Sequence, residues 1–258
     1  MEQRPQIPPA LRAYAETARA LGARLTRDAL GPGRSGSRLD DLARRLQREL
    51  DRMMQQKFDS LPGEGEVACS AGCDHCCRTL PVMVSPIEVF TLVHRVRDTP
   101  RAAPTAPAHA GAAPTTGTAP APDSLPPCPL LGPDGLCTAY SSRPLACRGC
   151  VSADVEACVA CDDSGLVPRS TVHQLGAAAM MKGVCDALDS LGLISTLVEL
   201  RAAVALALSD SEAEKGWLRG EDVFCGVECR QDASGGGQTQ FLLVDQRRNE
   251  GSRRSDLL

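Results

Sequence analysis

Thiol side chains are the residues of this sequence whose types and spacing indicate chemistry. The densest run is Cys69-Ser-Ala-Gly-Cys73-Asp-His-Cys76-Cys77, and a second block places Cys128, Cys137, Cys147 and Cys150 farther along the chain. Soft thiolates at such short separations are the ligands of zinc ions and of iron–sulfur clusters. The sequence therefore predicts a metal-binding protein.

The spacings within the first block leave two local geometries open. Cys69, Cys73 and Cys77 recur every four residues, so a helix would place them on one face. A loop would instead bring Cys73 and Cys76 together. Cys76 and Cys77 are adjacent, and neighbouring thiols rarely ligate one tetrahedral ion. We therefore expect either two metal centres or one ligand beside a packing or redox thiol.

The second block is expected to supply the distant partners, Cys137 and Cys147. The turn sequence Gly132-Pro-Asp-Gly135 places Cys137 at the start of a new element. Arg143-Pro144 restricts the backbone just before Cys147. These features predict that the two blocks meet in space.

A disulfide framework is the competing explanation for many cysteines, and the sequence disfavours it. The total of thirteen cysteines is odd, so full pairing would leave one thiol over. The N-terminus has no basic stretch followed by an apolar run and a small-residue cleavage site, so we expect no signal peptide. In a reducing compartment the thiols stay available to metal.

Composition excludes several classes of protein. The net charge of −4 and the absence of a basic run give no electrostatic footprint for nucleic acid. The longest apolar stretch, 193–208, is interrupted by Glu199 and Arg201 and is too short to cross a bilayer. We therefore expect a cytoplasmic protein without membrane or nucleic-acid partners, whose partner is an unidentified protein or small-molecule substrate.

Apolar periodicity predicts a mainly α fold, a small irregular helical domain with a cysteine-rich core. Helices are expected over 9–29 and over the stripe Leu39, Leu42, Leu46, Leu50 and Met53, which we interpret as core packing. Residues 80–84 are expected to be extended. Ser85-Pro-Ile-Glu88 is a capping box that starts a helix running to about residue 97. Two further helices are expected between 170 and 208, the second including Leu197, with Gly192 as the break.

The same patterns divide the chain into three parts. Residues 1–62 form an N-terminal helical segment, and 63–208 form the cysteine domain. A Pro- and Ala-rich insert at 99–127 interrupts that domain and is expected to be a flexible loop. Residues 209–258 form an extension that is largely disordered after 231. Loop closure costs only a few kcal/mol, so the insert does not prevent the two cysteine blocks from meeting.

The pieces just described resemble the YkgJ-type cysteine-cluster family, which is described as carrying a zinc- or iron-chelating domain. The resemblance rests on the run from Cys69 to Cys77, on Ser85-Pro-Ile-Glu88, on Cys128-Pro-Leu-Leu, and on the segment from Gly135 to Arg148. It covers roughly 66–208. It implies seven shared cysteines, which are Cys69, Cys73, Cys76, Cys77, Cys128, Cys137 and Cys147.

With Cys150 added, these seven make the predicted set of eight metal ligands. Cys150, Cys158 and Cys161 look like extras found in part of the family. The roles of Cys158, Cys161, Cys225 and Cys229 stay open. Seven or more thiolates exceed the four that one structural zinc needs, so we place an iron–sulfur cluster slightly ahead of zinc.

The resemblance does not imply a reaction, and two further functions stay open. Cys69, Cys73 and Cys76 fit the Cys-x3-Cys-x2-Cys spacing of radical enzymes, and flagellin lysine N-methylases look as though they contain a similar domain. A cluster-dependent redox or protein methyl-transfer enzyme is therefore one alternative, although neither a glycine-rich nucleotide loop nor an alternating strand–helix barrel is visible. A zinc-stabilised interaction module is the other.

Several other residues have simpler interpretations than ligation. We expect His75 to be an outer donor or an exposed loop residue, His173 to lie at a helix start, and Cys185 to be buried in the core. Cys225 and Cys229 have helical spacing but lie far from the main blocks. The remaining polar candidates are expected to compensate thiolate charge rather than bind an anionic substrate; they are Tyr140, Arg143 and Arg148.

Overall fold

The protein is mainly helical, as its periodicity predicts. The computed structural model describes residues 7–61, 67–98, 127–159, 167, 169–225 and 227. The helices are α1 Pro9–Leu30, α2 Gly36–Asp59, α3 His75–Thr79, α4 Pro86–Asp98, α5 Leu145–Gly149, α6 Val155–Val159, α7 Thr171–Ser190, α8 Leu200–Ser209 and α9 Ala213–Leu218. The strands are β1 Met83–Val84 and β2 Val198–Glu199, and they form one antiparallel pair.

The long helices α1 and α7 form the centre of the fold because small residues let them approach closely. A Cβ atom on Gly183 would overlap the carbonyl oxygen of Arg19, and one on Gly22 would overlap the carbonyl oxygen of Met180. Backbone contact at this distance leaves no room for a side chain. The N-terminal helix and a helix that follows both cysteine blocks therefore share one hydrophobic core.

The apolar stripe on α2 packs into this core, which confirms its interpretation as core packing. Leu39, Leu42 and Leu50 are fully buried, and Leu46 and Met53 are nearly so. The stripe faces α1, α4 and α7, and α2 also contacts α5, the short helix of the second cysteine block. The packing of α2 therefore helps to fix the position of the second cysteine block.

The predicted capping box starts α4. The Glu88 carboxylate accepts hydrogen bonds from the Ser85 backbone N–H and hydroxyl, both at 2.9 Å. α4 ends at Asp98, one residue beyond the predicted end. Its buried Phe90 lies 5.7 Å from the Trp217 ring and 5.5 Å from the Phe224 ring. Residues from the predicted C-terminal extension thus complete the core around α4.

The second late helix begins three residues later than expected. Val198 and Glu199 pair with Val84 and Met83 as β2, and α8 starts only at Leu200. The Glu199 side chain accepts a hydrogen bond from the Ala202 backbone N–H at 3.1 Å, which makes Glu199 the N-cap. Strand pairing with the extended 80–84 segment overrides the helical periodicity that included Leu197.

Two predictions fall largely outside the described residues. The Pro- and Ala-rich insert lies there except for Pro127, as does the tail after 231.

Gly192 has φ +66°, which confirms the predicted break after α7. Among the described residues, no helix combines the length and the apolar character needed to span a membrane.

Candidate metal centre

A tight turn, not a helix, carries the first two cysteines. Gly72 has φ +96°, and the Cys73 backbone N–H donates to the Ser70 carbonyl oxygen at 3.1 Å. A left-handed residue at this position ends any helical path through Cys69 and Cys73. Of the two local geometries that the sequence left open, the helical face through Cys69, Cys73 and Cys77 is therefore excluded, and α3 begins only at His75.

Backbone hydrogen bonds tie the second cysteine block to α3. The Cys128 N–H donates to the Cys77 carbonyl oxygen at 2.8 Å. The Arg201 guanidinium donates to the same oxygen at 3.3 Å and to the Leu80 carbonyl oxygen at 3.1 Å. Arg201 is nearly buried, and it joins α8 to the C-terminal end of α3.

The predicted turn before Cys137 is present. Gly135 has φ +74°, and the Gly132 N–H donates to the Leu136 carbonyl oxygen at 2.8 Å. Leu131 and Cys137 then form an antiparallel bridge. Cys137 consequently lies back beside the residues that follow Cys128.

Helix α5 carries Cys147 and is held at both ends. Its N-terminal Leu145 N–H donates to the Glu88 carboxylate at 2.7 Å, so the capping box of α4 also anchors α5. Pro144 directly precedes the helix, as predicted. At the other end, a Cβ atom on Gly149 would lie 2.6 Å from the Cβ atom of Ala177, so α5 packs directly on α7.

Cys150 and Cys69 accept hydrogen bonds through their sulfur atoms. The Arg169 guanidinium lies 2.7 Å from Cys150 Sγ, and the Ser152 backbone N–H lies 3.2 Å from Cys69 Sγ. Donors of this kind stabilise thiolates and tune the metal that thiolates bind. Because it is a cation, Arg169 also offsets negative charge on sulfur.

Nine cysteines make up a thiol array around Cys76. Its members are Cys69, Cys73, Cys76, Cys77, Cys128, Cys137, Cys147, Cys150 and Cys158. Hydrogen bonds with Cys150 and Cys77 lower the pKa of Cys76 below its ordinary value, and these bonds raise the pKa of both partners. This arrangement favours one thiolate held by two thiol donors.

Five further thiols of the array favour the protonated state when no cation is present. Burial, followed by repulsion from neighbouring thiolates, raises the pKa of Cys73 and of Cys147. Burial likewise raises the pKa of Cys128, Cys137 and Cys158. A bound cation removes this repulsion, so metal binding and proton release are coupled here.

The cysteines with open roles divide between the array and the rest of the chain. Cys158, on α6, interacts electrostatically with Cys69 and Cys76, so it joins the array. Cys185 packs against the hydrophobic core, and burial raises its pKa to about 12, which confirms the predicted core role. Cys225 is exposed. Cys161 and Cys229 lie outside the described residues.

Of the polar neighbours predicted from sequence, Arg143 acts on a thiol and Arg148 does not. Arg148 donates to the Arg143 and Ser141 carbonyl oxygens, at 2.9 and 2.7 Å, and pairs with Asp51, so it braces the backbone rather than a sulfur. Arg143 stacks 4.0 Å over the Tyr140 ring, and its charge lowers the otherwise raised pKa of nearby Cys137.

Sequence reasoning missed Arg169 and Arg201, and it assigned Glu88 only a capping role. Arg169 lies nineteen residues after Cys150 along the chain. Its local sequence carries no ligand pattern, so no signal could have linked Arg169 to Cys150.

His173 lies in the first turn of α7, as expected, and its Nδ1 atom is 2.7 Å from Ser170 Oγ.

The donor set fits zinc or iron in its chemistry. It consists of soft sulfur atoms with cationic side chains beside them. Within the described part of the chain, no three His, Cys, Asp or Glu side chains already stand in metal-binding positions. Coordination would therefore require thiol side chains to turn from their mutual contacts toward a common ion.

Comparison with known proteins agrees with this chemistry. Residues 68–164 match the model of the CxxCxxCC family, described as "Putative zinc- or iron-chelating domain". The match confirms the resemblance to the cysteine-cluster family and covers both cysteine blocks. Neither the curated proteins nor the solved structures gave a match to the chain. The expected metals, iron or zinc, are those of the family description.

Proposed function

We propose that this chain chelates an iron–sulfur cluster through its thiol array, with zinc as the alternative metal. The observation that carries the proposal is the grouping of nine of the eleven described cysteines in one array around Cys76. One structural zinc uses four ligands, so nine thiols exceed its requirement. Iron–sulfur clusters, by contrast, are held almost exclusively by cysteine thiolates.

The array divides into two groups, which supports two centres. Cys69, Cys73 and Cys158 influence one another at one end. The other group interacts around Cys147 and consists of Cys77, Cys128, Cys137 and Cys147. Cys76 and Cys150 lie between the groups and interact with one another. Adjacent Cys76 and Cys77 would thereby serve different centres, which agrees with the difficulty of placing both on one ion.

When bound, the metal supplies positive charge that neutralises the clustered thiolates. The chain's own residues prepare this site before binding. Arg169 holds Cys150 by a direct contact to sulfur, while the Glu88–Leu145 bond fixes the helix that carries Cys147. Arg201 fixes the Cys77 carbonyl oxygen and lies near Cys128, whose otherwise raised pKa it lowers. These contacts reduce the ordering that coordination must otherwise impose.

Serine substitutions test the assignment of ligands. Cys147→Ser should lower the bound metal per chain because the hydroxyl is a poor ligand for soft metals. Cys225→Ser is the matched control, since this exposed thiol lies outside the array. Metal content is measured on protein purified without added metal, and circular dichroism verifies folding. Equal metal in the Cys147→Ser variant and the unsubstituted protein, or equal loss in both variants, would contradict the assignment.

A further inference from the structure

A cavity lies beside the thiol array, with Cys69 among its lining residues. Its volume is about 600 Å³, which is in the range of small-molecule sites. α2 forms one wall, the segment from Tyr140 to Arg148 forms another, and Cys69 lies at the edge. Met54 and Val151 add apolar surface. The cavity therefore joins a mixed polar and apolar space to the first cysteine of the array.

Positive charge dominates the lining of this cavity. Arg44, Arg48, Arg143 and Arg148 line it, with Asp51 as their only acidic neighbour among the lining residues. Asp51 is already paired with Arg148, and Arg44 is paired with Asp41 at 2.6 Å. Arg48 and Arg143 form no ion pair with any acidic residue in the described ranges. The cavity consequently carries about two uncompensated positive charges.

Arg143 is preorganised for an anionic ligand. Its guanidinium stacks at 4.0 Å from the centroid of the Tyr140 ring, which limits its rotation. Its Nε atom is buried and has no hydrogen-bond partner in the part of the chain that the structure describes. An unpaired buried donor is costly, and an acceptor supplied by a ligand would remove that cost. The planar guanidinium donates two parallel hydrogen bonds to a carboxylate or phosphate.

We propose that this cavity binds a small molecule through a phosphate or carboxylate group, held by Arg48 and Arg143 beside Cys69. The apolar wall would accept the rest of such a molecule. This binding activity goes beyond metal chelation. The proposed anion binding depends on the arginines of α2 and of the 140–148 segment, so we expect it whether the array binds iron or zinc.

Calorimetric titration of the full chain with inorganic phosphate, and separately with malonate, tests the proposal at constant ionic strength. Arg48→Gln should weaken binding of the preferred anion about tenfold or more, the effect of losing one charge-assisted hydrogen bond. Arg45→Gln is the matched control, because it removes the same charge from an exposed site on the same helix outside the cavity. It should change affinity less than about twofold.

The two anions distinguish the sources of the ligand. Tighter phosphate binding would assign the cavity to phosphate-bearing molecules, and tighter malonate binding to carboxylates; either supports the proposal. Failure of both anions to bind, or equal weakening by Arg48→Gln and Arg45→Gln, would overturn it. Metal content is measured on the same samples and should be the same in both variants. If Arg48→Gln lost metal and Arg45→Gln did not, Arg48 would support the metal centre, and the proposal of a separate anion site would be overturned.

Discussion

At the scale of single residues, the chemistry depends on donors that lie beside the thiols. Cysteine type and spacing identified the array, because few other residues bind soft metals. They did not identify the contact between Arg169 and Cys150, which lie nineteen residues apart in the sequence. Nor did they reveal that Arg148 is occupied by Asp51 and carbonyl oxygens. Such pairings arise from the folded path of the chain.

Removal of the Arg169 charge should weaken metal binding without unfolding the protein. We expect Arg169→Gln to lower metal affinity about 10- to 100-fold, since loss of an outer-shell partner has effects of this size. Competition with a chromophoric chelator measures the affinity. Arg95→Gln, on the exposed side of α4, is the control and should leave affinity unchanged. Unaltered affinity in Arg169→Gln would show that the contact to Cys150 does not support the metal.

At the scale of elements, short helices take their positions from longer ones. α5 has only five residues, too few to be stable alone, and it depends on Glu88 at its start and on contact with α7 at Gly149. The sequence predicted the capping box because Ser85 and Glu88 are local partners. The second bond of Glu88, to Leu145 across the insert, could not be read from local spacing.

A methyl group at the contact between α5 and α7 should disturb the second cysteine block. Gly149→Ala would bring Cβ atoms within 2.6 Å and force the helices apart. Overpacking of this kind costs about 1–3 kcal/mol of folding free energy, and it should lower metal content as Cys147 and Cys150 shift. Chemical denaturation and metal analysis measure the two effects.

Gly33→Ala is the control for this substitution. A Cβ atom on Gly33 would meet only the end of the Arg38 side chain, at 4.0 Å. The free energy of unfolding of Gly33→Ala should stay within about 1 kcal/mol of that of the unsubstituted protein. Wild-type stability in Gly149→Ala would mean that the packing of α5 tolerates displacement.

At the scale of the whole molecule, a charged histidine connects three helices. His94 on α4 lies 2.9 Å from the Asp40 carboxylate at the start of α2 and 2.6 Å from the Glu214 carboxylate of α9. Hydrogen bonding to Asp40, and then to Glu214, outweighs burial and raises the pKa of His94 to about 9. Charge at this junction helps to hold α9 on the core.

Stability should fall in alkaline solution as His94 loses its proton. The folded-state pKa exceeds the ordinary value of 6.5, so the contribution is complete below about pH 6.5 and is lost as pH rises through about 9. We expect about 1–2 kcal/mol, allowing for solvent screening. The measured quantity is the difference in unfolding free energy between the unsubstituted protein and His94→Gln at pH 6 and pH 10, with reductant present. A pH-independent difference would contradict this role.

The overall architecture was predictable where a long helix carried its own periodicity. α1, α4 and α7 begin and end within a few residues of expectation, and α2 contains the predicted stripe, because apolar faces and caps are local signals. Leu197 was misassigned because β2 follows directly after it, and the pairing of β2 with β1 joins residues more than a hundred positions apart. The core positions of Trp217 and Phe224 likewise result from long-range packing.

Metal and acid-labile sulfide analysis, together with an absorption spectrum, tests the central claim most directly. The protein is purified without oxygen and without added metal. We expect iron and sulfide in similar amounts, with a broad visible absorption band from the cluster. Stoichiometric zinc with no visible band would contradict the iron–sulfur proposal and assign the array to zinc. A metal-free protein that takes up neither iron nor zinc would contradict chelation itself.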